Sequence, residues 1–247
     1  MRAVFLAAGF ATRMFPLTRD RAKPLLEVGG EPLLGRLLRQ AAAIGIEEAV
    51  VVVNARFAAA FRAWAAAAGP RPVLRLVVNR ARRPEEARGA VADLALGLAE
   101  AFPDPEPEGF LVAAGDNLLG FGLEEAAARF RRRRRPLILV REVPEPVPPR
   151  TYSEVVIGAD GTVASFREKP TDPRSRLSAI AVYFLPPELP HLVRSYLDEG
   201  GPRDAPGHFL AWLCSRTAVE ALPVPGPWFD VGSLEGYRAV RDRLPPD

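Results

Sequence analysis

Short apolar runs alternate with amphipathic stretches through the first half of the chain. Val50 to Val53 and Phe110 to Ala114 are continuous apolar runs of strand length, whereas residues 31–44 place apolar side chains three and four positions apart, as a surface helix does. Strands that are buried on both faces and separated by helices predict a mostly parallel sheet with right-handed crossovers. The pattern therefore predicts an α/β fold.

Applied along the whole chain, this reading predicts an ordered series of elements. The predicted strands are residues 2–8, Val50–Val53, Val73–Val78, Phe110–Ala114, Leu137–Arg141, Tyr152–Ile157, Val163–Phe166, Ala179–Leu185 and Val219–Val224. The predicted helices are residues 31–44, Phe57–Ala68, Ala87–Ala101, Leu123–Phe130, Pro187–Leu197, His208–Arg216 and Leu234 to about Leu244. The segment from Asp104 to Glu108 is predicted to be an acidic surface loop.

The pattern changes after residue 142. A stiff, proline-rich loop, Val143 to Pro149, leads into two strands joined by an Asp160-Gly161 turn. This predicts a small antiparallel insertion rather than another crossover. We find no linker long enough to separate independent domains, so residues 1–247 are predicted to form a single domain.

The loop that follows the first predicted strand is the first candidate site. The stretch from Leu6 to Gly30 contains Gly9 at the start of the loop and two cations, Arg13 and Lys23. Backbone N–H groups and cations around one point suit a polyphosphate. The alternative is an ordinary strand–loop–helix connection with solvated charges, because neither of the two common glycine-rich phosphate motifs is present.

Two carboxylates follow other predicted strands. Asp116 comes directly after the apolar run that ends at Ala114, so Gly9 and Asp116 should lie on the same rim of the sheet, where ligands bind in such folds. Asp230 lies at a second strand end. Two carboxylates near a phosphate site suit Mg²⁺, whereas His191 and His208 have no partners at zinc-ligand spacing. Taken singly, each aspartate would be read as a turn or cap residue.

Composition narrows the class of protein. Hydrophobic residues make up 48% and charged residues 26% of the chain, which is typical of a soluble globular protein. No apolar run approaches the length of a membrane span, and the N-terminal apolar stretch lacks a cleavage pattern, so we expect neither a membrane anchor nor a signal peptide. One cysteine, Cys214, cannot form an internal disulfide, which agrees with a cytoplasmic location.

The charges do not predict a nucleic-acid partner. The net charge is +3, and the run Arg131 to Arg135 has no interleaved aromatic residues, so it is better read as a solvated helix end. The chain also has 26 prolines, three asparagines and one glutamine. Few thermolabile amides and many loop stiffeners suggest a thermophile, although GC-rich coding gives a similar bias.

Lysine is unusually scarce. Of 33 basic residues only Lys23 and Lys169 are lysine, and both precede a proline. Lysine has a compact ammonium where arginine has a planar fork. We infer that these two positions require the compact charge.

No residue is a convincing covalent nucleophile. Ser233 is better placed as a helix cap than as the serine of a nucleophile elbow, and Cys214 in its apolar run is expected to pack at or near the core. The means of catalysis that remain are substrate positioning and charge neutralisation, and these suffice for phosphoryl or nucleotidyl transfer.

The motifs converge on one family. The chain resembles the sugar-1-phosphate nucleotidylyltransferases (NDP-sugar pyrophosphorylases), particularly the short forms near glucose-1-phosphate thymidylyltransferase. The resemblance covers almost the whole chain and is carried in order by LAAGFATRMFPLT with AKPLLEVGG, RGAVADL at 88–94, AGDN at 114–117, FREKP at 166–170, DAPGHFLAWL at 204–213 and WFDVGSLEGY at 228–237. It implies a Rossmann-like three-layer fold with a nucleotide-binding half, residues 1–142, and a sugar-binding half, residues 143–247.

The resemblance also implies roles for individual residues. The residues it implies for catalysis are Arg13, Lys23, Asp116, Lys169 and Asp230. Those implied for the nucleotide are Leu6, Ala8, Gly9, Ala11, Thr12, Arg13 and Gly89. Those implied for the sugar phosphate are Asn117, Tyr152, Glu168 and Lys169. Asp116 and Asp230 would hold Mg²⁺. The implied reaction is in-line attack of a sugar-1-phosphate oxygen on the α-phosphorus of an NTP, with release of pyrophosphate.

The chain departs from the family pattern at several positions. Ala11 stands where many members have a second glycine, and Ala22 replaces a usual proline. Arg88-Gly89-Ala90 differs from the Gly-Thr-Ala common in base-binding loops. Tyr152-Ser153-Glu154 replaces a usual Tyr-Gly, and Ala181 replaces a glycine. The last two fall in the sugar-binding region.

Three functional hypotheses remain open. The first is a Mg²⁺-dependent enzyme that joins dTTP or UTP to a sugar-1-phosphate. The second is a cytidylyltransferase that uses CTP and an inositol, alditol or choline phosphate. The third is a regulatory subunit that binds nucleotide sugar without activity. The retained Arg13, Lys23, Asp116, Lys169 and Asp230 argue against the third. A homo-oligomer is compatible with all three.

Overall fold

The computed structural model describes residues 1–69, 72–101 and 108–243, and of residues 230, 242 and 243 it describes the backbone only. The strands are β1 (Arg2–Ala7), β2 (Glu27–Val28), β3 (Glu31–Pro32), β4 (Glu48–Asn54), β5 (Val73–Asn79), β6 (Phe110–Ala114), β7 (Asn117–Leu119), β8 (Leu137–Glu142), β9 (Glu154–Ile157), β10 (Val163–Arg167), β11 (Leu177–Leu185), β12 (Glu220–Pro223) and β13 (Trp228–Asp230). The helices are α1 (Leu33–Ala43), α2 (Ala58–Ala67), α3 (Ala90–Ala101), α4 (Glu124–Arg133), α5 (Leu189–Asp198), α6 (Pro206–Cys214) and α7 (Leu234–Arg243).

Within the described residues, a seven-stranded sheet has the order β12-β8-β11-β6-β1-β4-β5. Its pairs are parallel except those of β11, which runs antiparallel to both β6 and β8. The sheet is therefore mixed and mostly parallel. This confirms the predicted fold class, and the antiparallel pair β9–β10 is the predicted insertion.

The sheet is covered on both faces because side chains alternate along each strand. In β1, Phe5 belongs to one buried cluster and Val4 to the other. The first cluster packs against α1, α2 and α4, and the second against α3, α5 and α6. Helix, sheet and helix thus form three layers, as continuous apolar strands require.

A third and smaller cluster lies apart from these two. It joins segments that follow different strands and that all surround the candidate site. Its buried members are Met14, Leu26, Val28, Leu33, Leu118, Val231 and Val240. Tyr237 in α7 adds a hydrogen bond of 2.8 Å from its hydroxyl to the carbonyl oxygen of Glu27. Helix α7 is thereby fixed to the β2–β3 hairpin rather than to the main sheet.

Several element boundaries differ from the predicted ones. Helix α3 begins at Ala90 rather than Ala87, because residues 84–86 form a separate turn of 3-10 helix. Ser233 caps α7 as predicted, since its hydroxyl accepts the N–H of Gly236 at 3.0 Å. The ribbons β2–β3 and β7–β13 were not predicted. Most of the predicted Asp104–Glu108 loop, and the helix end near Leu244, lie outside the described residues.

Burial raises the pKa of the Cys214 thiol to about 12, which suits the predicted packing role rather than a nucleophile. None of the helices in the described ranges combines the length and apolar character needed to cross a bilayer.

Candidate active site

The loop after β1 follows the rim of the sheet formed by the carboxyl ends of the parallel strands. Asn54, the last residue of β4, donates its side-chain amide to the carbonyl oxygen of Ala8 at 3.0 Å. Gly9 is exposed, and no atom lies within 4 Å of the position that a side chain would take there. Arg13 is exposed and has no hydrogen-bonded or ion-paired partner among the described residues. The loop therefore offers open backbone and a free cation, as a phosphate site requires.

Ala11 keeps the backbone shape of the glycine it replaces in the family pattern. Its φ is +48° and its ψ is +44°, which is the left-handed region. The carbonyl oxygen of Ala11 accepts the Thr18 hydroxyl at 2.8 Å and the N–H of Met14 at 2.9 Å. These bonds hold an alanine in a conformation that an L-residue avoids.

We predict that Ala11→Gly stabilises the folded protein by about 0.5–1 kcal/mol, since glycine adopts this φ without steric strain. Denaturant unfolding measures the change. Ala63→Gly, in the exposed middle of α2, is the matched control and should instead destabilise the protein by about 1 kcal/mol. Equal destabilisation by both variants would show that Ala11 carries no strain.

Lys23 and Asp116 meet at the rim although 93 residues separate them in sequence. The Lys23 ammonium donates to Asp116 Oδ2 at 2.7 Å, and the two side chains are 11% and 36% exposed. Lys23 begins a turn of 3-10 helix, residues 23–25, and β6 carries Asp116 beyond its end. Strands β1 and β6 are parallel neighbours, so their carboxyl ends lie side by side. This confirms the prediction that the loop after β1 and Asp116 lie on the same rim of the sheet.

The unpredicted ribbon β7–β13 brings Asp230 to the same place. In the ribbon, Asp230 pairs with Asn117. Asn117 directly follows Asp116 in the sequence. The Asn117 side chain is buried: its amide donates to the carbonyl oxygens of Ala114 and Ala181, both at 3.3 Å. Its oxygen accepts the indole N–H of Trp228 at 2.7 Å. Asn117 thus fixes the ribbon to β6 and β11, and its side-chain polar atoms are already used.

A cavity of about 310 Å³ opens beside Asp116. All four residues implied for the sugar phosphate line this cavity, and Glu168 and Lys169 contribute charged side chains to it. The lining includes Asp116, Asn117, Tyr152, Ser153, Glu168, Lys169, Ser178, Ala181, Tyr183, Asp204, Gly207 and Trp228. We call this space the acceptor cavity. The structure therefore joins the implied sugar residues in one space that borders Asp116.

Glu168 and Lys169 give the acceptor cavity its charge. The Glu168 side chain is 9% exposed, and the Lys169 ammonium lies 3.7 Å from its Oε1 while remaining 49% exposed. Burial raises the pKa of the Glu168 carboxyl, although the charges of Lys169 and His208 oppose the shift. A buried carboxylate beside an accessible ammonium suits a ligand with hydroxyl groups at one end and a phosphate at the other.

Ser153 and Ser178 form a wall of the acceptor cavity. Only Ser153 was noted from the sequence, as part of a departure from the family pattern. The Ser153 hydroxyl lies 3.1 Å from that of Ser178 and accepts the N–H of Ala179 at 3.1 Å. Nearby Ala181, the other alanine in place of a glycine, has a φ of +54°. Ala181 thus keeps a left-handed backbone of the kind that glycine favours, whereas Ser153 adds a hydrogen-bonding hydroxyl to the wall.

A larger cavity of about 570 Å³ lies on another side of Tyr152 and Trp228. It contains two arginines, but both are engaged by the protein. Arg141 donates to the carbonyl oxygen of Gly226, and Arg176 donates to that of Val143 at 3.3 Å. With its cations committed and no lining residue from the phosphate loop, this cavity does not serve the candidate chemistry.

Gly89 has a constraint that the sequence did not reveal. Its φ is +92°, and a Cβ atom there would lie 2.2 Å from the carbonyl oxygen of Arg203. Nucleotide contact by Gly89 stays a prediction. The backbone of Arg203 is a sufficient reason for glycine at this position.

Mg²⁺ is compatible with the residues at the rim. Asp116 has one oxygen bonded to Lys23 and is partly exposed toward the acceptor cavity, and the β7–β13 register brings the Asp230 backbone next to it. Two carboxylates plus substrate phosphates are a common Mg²⁺ set. Among described residues, no group of three or more His, Cys, Asp or Glu side chains could hold a metal by itself. The side chain of Asp230 lies outside the described part of the structure.

Comparisons with known proteins agree with this geometry. The family model described as nucleotidyl transferase matches residues 2–245. Glucose-1-phosphate thymidylyltransferase of Streptomyces antibioticus is 29% identical over 257 residues, covering 100% of this chain and 68% of that protein. UTP–glucose-1-phosphate uridylyltransferase AglF of Haloferax volcanii is 31% identical over 254 residues, covering 99% of this chain and 96% of that protein.

A solved structure supports the fold independently. The crystal structure described as a putative glucose-1-phosphate thymidylyltransferase from Bacillus anthracis, in complex with a sucrose, superposes with a TM-score of 0.81 at 18% identity. The match covers 99% of this chain and 95% of that chain. Together with the family match over residues 2–245, these relatives establish that the chain belongs to the nucleotidyl transferase family, among the sugar-1-phosphate nucleotidylyltransferases.

Proposed function

We propose that this protein transfers a nucleotidyl group from dTTP or UTP to a sugar-1-phosphate, in a Mg²⁺-dependent reaction that releases pyrophosphate. The observation that carries the proposal is the Lys23–Asp116 pair, which lies between the open phosphate loop and the acceptor cavity. A transfer between two phosphate-bearing substrates requires such a junction. The division into a nucleotide half, residues 1–142, and a sugar half, residues 143–247, remains part of the proposal.

Each group in the junction has a distinct task. Arg13 and the backbone from Leu6 to Thr12 hold the triphosphate. Lys23, little exposed, neutralises the charge that builds up around the α-phosphorus, where low solvent access strengthens the interaction. Glu168 accepts hydrogen bonds from sugar hydroxyls, and Lys169 holds the sugar phosphate. The protein thereby aligns the attacking phosphate oxygen with the α-phosphorus and the departing pyrophosphate.

Mg²⁺ held by Asp116 and Asp230 would neutralise phosphate charge when bound. Asp116 has a second task that does not depend on the metal. Its carboxylate holds the Lys23 ammonium at 2.7 Å and so fixes the position of that cation.

The names of the relatives support glucose 1-phosphate with dTTP or UTP as the first substrates to test. The Ser153–Ser178 wall and Ala181 change the side chains around the acceptor cavity relative to the family pattern. The identity of the acceptor is therefore the most specific element of the proposal. A cytidylyltransferase acting on an inositol, alditol or choline phosphate is the alternative. Cytoplasmic location, a thermophilic source and homo-oligomerisation stay predictions from the sequence.

A substrate panel tests the proposal. We expect pyrophosphate release with dTTP or UTP and glucose 1-phosphate, only when Mg²⁺ is present, and at a higher kcat/KM than with CTP and inositol, alditol or choline phosphates. Turnover confined to CTP would establish the alternative. Absence of turnover with every pair, together with tight binding of UDP-glucose or dTDP-glucose, would contradict an enzymatic role and favour a regulatory subunit.

A further inference from the structure

The two outer strands of the seven-stranded sheet, β12 and β5, differ in how they are covered. β12 has four residues and contains Pro223, and the N–H of Ala221 donates to the carbonyl oxygen of Gly161 at 3.2 Å on its outer side. Short length, proline and a covering segment are the usual features that keep an outer strand from pairing with another chain. β5 has none of them: it has seven residues, no proline and a regular register with β4.

The backbone of β5 presents polar groups along its outer side. The N–H of Val73 donates to the carbonyl oxygen of Glu47 at 2.7 Å, so the backbone groups of Val73 are directed toward β4. Successive residues of a strand alternate in this direction, so the N–H and C=O groups of Leu74, Leu76 and Val78 are directed outward. These outward groups have no hydrogen-bond partner in the described part of the chain.

The side chains along the same strand are apolar and incompletely covered. Val73 is 61% exposed. Leu74, Leu76 and Val78 are only partly buried where they pack against the first cluster, whereas the apolar residues of the neighbouring strand β4 are fully buried. An outer strand that is long, regular and apolar is a template for pairing with a further strand.

The outer face of α2 continues this surface. Helix α2 packs against both β4 and β5. Apart from Arg62, its exposed residues are alanines: Ala59, Ala60, Ala63, Ala66 and Ala67. The solvent-facing side of a surface helix ordinarily carries charged and polar residues, whereas alanines allow a second helix to approach closely. We call β5 and the exposed residues of α2 the edge surface.

We propose that the edge surface binds a second copy of this chain, with the two β5 strands pairing antiparallel about a twofold axis at Leu76. A row of outward N–H and C=O groups is complementary to the same row in the opposite direction, as a twofold interface requires. Leu76 then pairs with Leu76 of the second copy, and Leu74 pairs with Val78 of the second copy. The inference goes beyond nucleotidyl transfer and does not depend on it.

The hydrogen bonds and the charge of β5 both favour this register. It uses all three outward residues, and each of the three pairs exchanges two hydrogen bonds. Arg75 then lies opposite Val77 of the second copy, whereas an axis at Arg75 would oppose two like charges, which is destabilising. The Arg75 guanidinium also donates to the carbonyl oxygen of Ala101 at 2.8 Å, so it is held by the end of α3 in its own chain.

The helix layer fits the same arrangement. The twofold axis runs perpendicular to the sheet between the two β5 strands, which would lie about 4.8 Å apart. Because α2 contacts both β4 and β5, it lies about 5 Å from this axis, and the two α2 helices would lie about 10 Å apart, the usual separation of packed helices. The two candidate active sites would open at opposite ends of the continuous sheet, so neither obstructs the other.

Analytical ultracentrifugation of charge variants tests the interface. The wild-type protein should form a particle of twice the chain mass of 26.9 kDa that dissociates on dilution. Leu76→Lys and Leu76→Glu each place two like charges at the twofold axis, so each should raise the dissociation constant at least about tenfold. A 1:1 mixture of the two variants should restore the dimer at a concentration where each alone is monomeric, because opposite charges then face each other.

Val156→Lys is the matched control. Val156 is another exposed apolar strand residue, 42% exposed, but it lies in β9, outside the edge surface. Its replacement should leave the mass of the particle unchanged. Thermal unfolding shows whether each variant is folded, and at position 76 we expect the long charged side chain to extend past the open edge into water.

Residue-resolved hydrogen exchange tests the register without a substitution. The amides of Leu74, Leu76 and Val78 should exchange at least about tenfold more slowly in concentrated wild-type protein than in dilute protein, because only the dimer gives them partners. The amides of Arg75 and Val77 are directed toward β4 and should be protected at both concentrations. They are the internal control.

The outcomes decide for or against the second copy. A wild-type protein that stays monomeric at every concentration overturns the inference, also where β5 binds a strand of a different protein. A dimer that persists in both folded Leu76 variants overturns it, as does a mixture that forms no dimer. If neither variant folds, Leu76 amide exchange that is independent of protein concentration overturns it. The substrate panel bears on the proposed function alone, so the two can fail separately.

Discussion

Replacing Lys23 by methionine is expected to lower kcat about 10³-fold, comparable to the loss of a preorganised charge-stabilising group, while leaving the protein folded. The Lys23 side chain is only 11% exposed, so its charge acts on the triphosphate with little screening by water. Methionine keeps the apolar stem and its packing. Asp116, which is 36% exposed, is left to be solvated. Pyrophosphate release gives kcat, and thermal unfolding reports the fold.

The matched control is Arg39→Met. Arg39 and Glu31 form an ion pair of the same 2.7 Å length, but the arginine is 64% exposed, so its loss should change kcat and stability little. Lys23→Arg keeps the charge but replaces the compact ammonium by a planar guanidinium at a little-exposed position, and we expect most activity to be lost there too. If Lys23→Met stays within tenfold of wild type, Lys23 has no part in charge neutralisation.

Replacing Asp116 by asparagine is expected to lower kcat about 10²–10³-fold and to raise the Mg²⁺ concentration needed for half-maximal rate. The neutral amide is a weaker Mg²⁺ ligand than a carboxylate. It also leaves the Lys23 ammonium without its counter-charge, and we expect the free energy of unfolding to fall by about 2 kcal/mol. A Mg²⁺ titration of pyrophosphate release and urea unfolding measure the two effects separately.

Asp172→Asn provides the comparison for a carboxylate outside the site. Asp172 is paired with Arg167 and Arg174 on the surface, and we expect its replacement to leave the Mg²⁺ dependence unchanged. If Asp116→Asn also requires no additional Mg²⁺, Asp116 is not a metal ligand, and its role is limited to holding Lys23.

The central sheet was predictable because its strands are buried on both faces and so read as continuous apolar runs, as Val50 to Val53 does. The β7–β13 ribbon was not predictable. Its strands have three residues each, which is too short to show a hydrophobic period. Their paired ends, Leu119 and Trp228, are 109 positions apart in the sequence. What the sequence did indicate there was the pair of acids, Asp116 and Asp230.

The site was predictable only where side-chain chemistry marked it. The scarcity of lysine singled out Lys23 and Lys169, of which Lys23 is 11% exposed and Lys169 is 49% exposed. The requirement for a compact charge at these two positions stays a prediction. The contact of Gly89 with Arg203 could not be predicted from the sequence, because it involves a backbone carbonyl group, which every residue possesses. The left-handed backbone of Ala11 and Ala181 was also hidden, since alanine ordinarily indicates a helix.

The third hydrophobic cluster has a consequence for the order in which the molecule loses structure. Met14, Leu26, Leu118 and Val240 hold the phosphate loop, the Lys23 turn, the β7–β13 ribbon and α7 together in a core of their own. A cluster this small opens at a lower free energy than the seven-stranded sheet beneath it. Warming should therefore abolish catalysis while the sheet is still intact, so that the temperature limit for activity lies below the melting temperature of the fold.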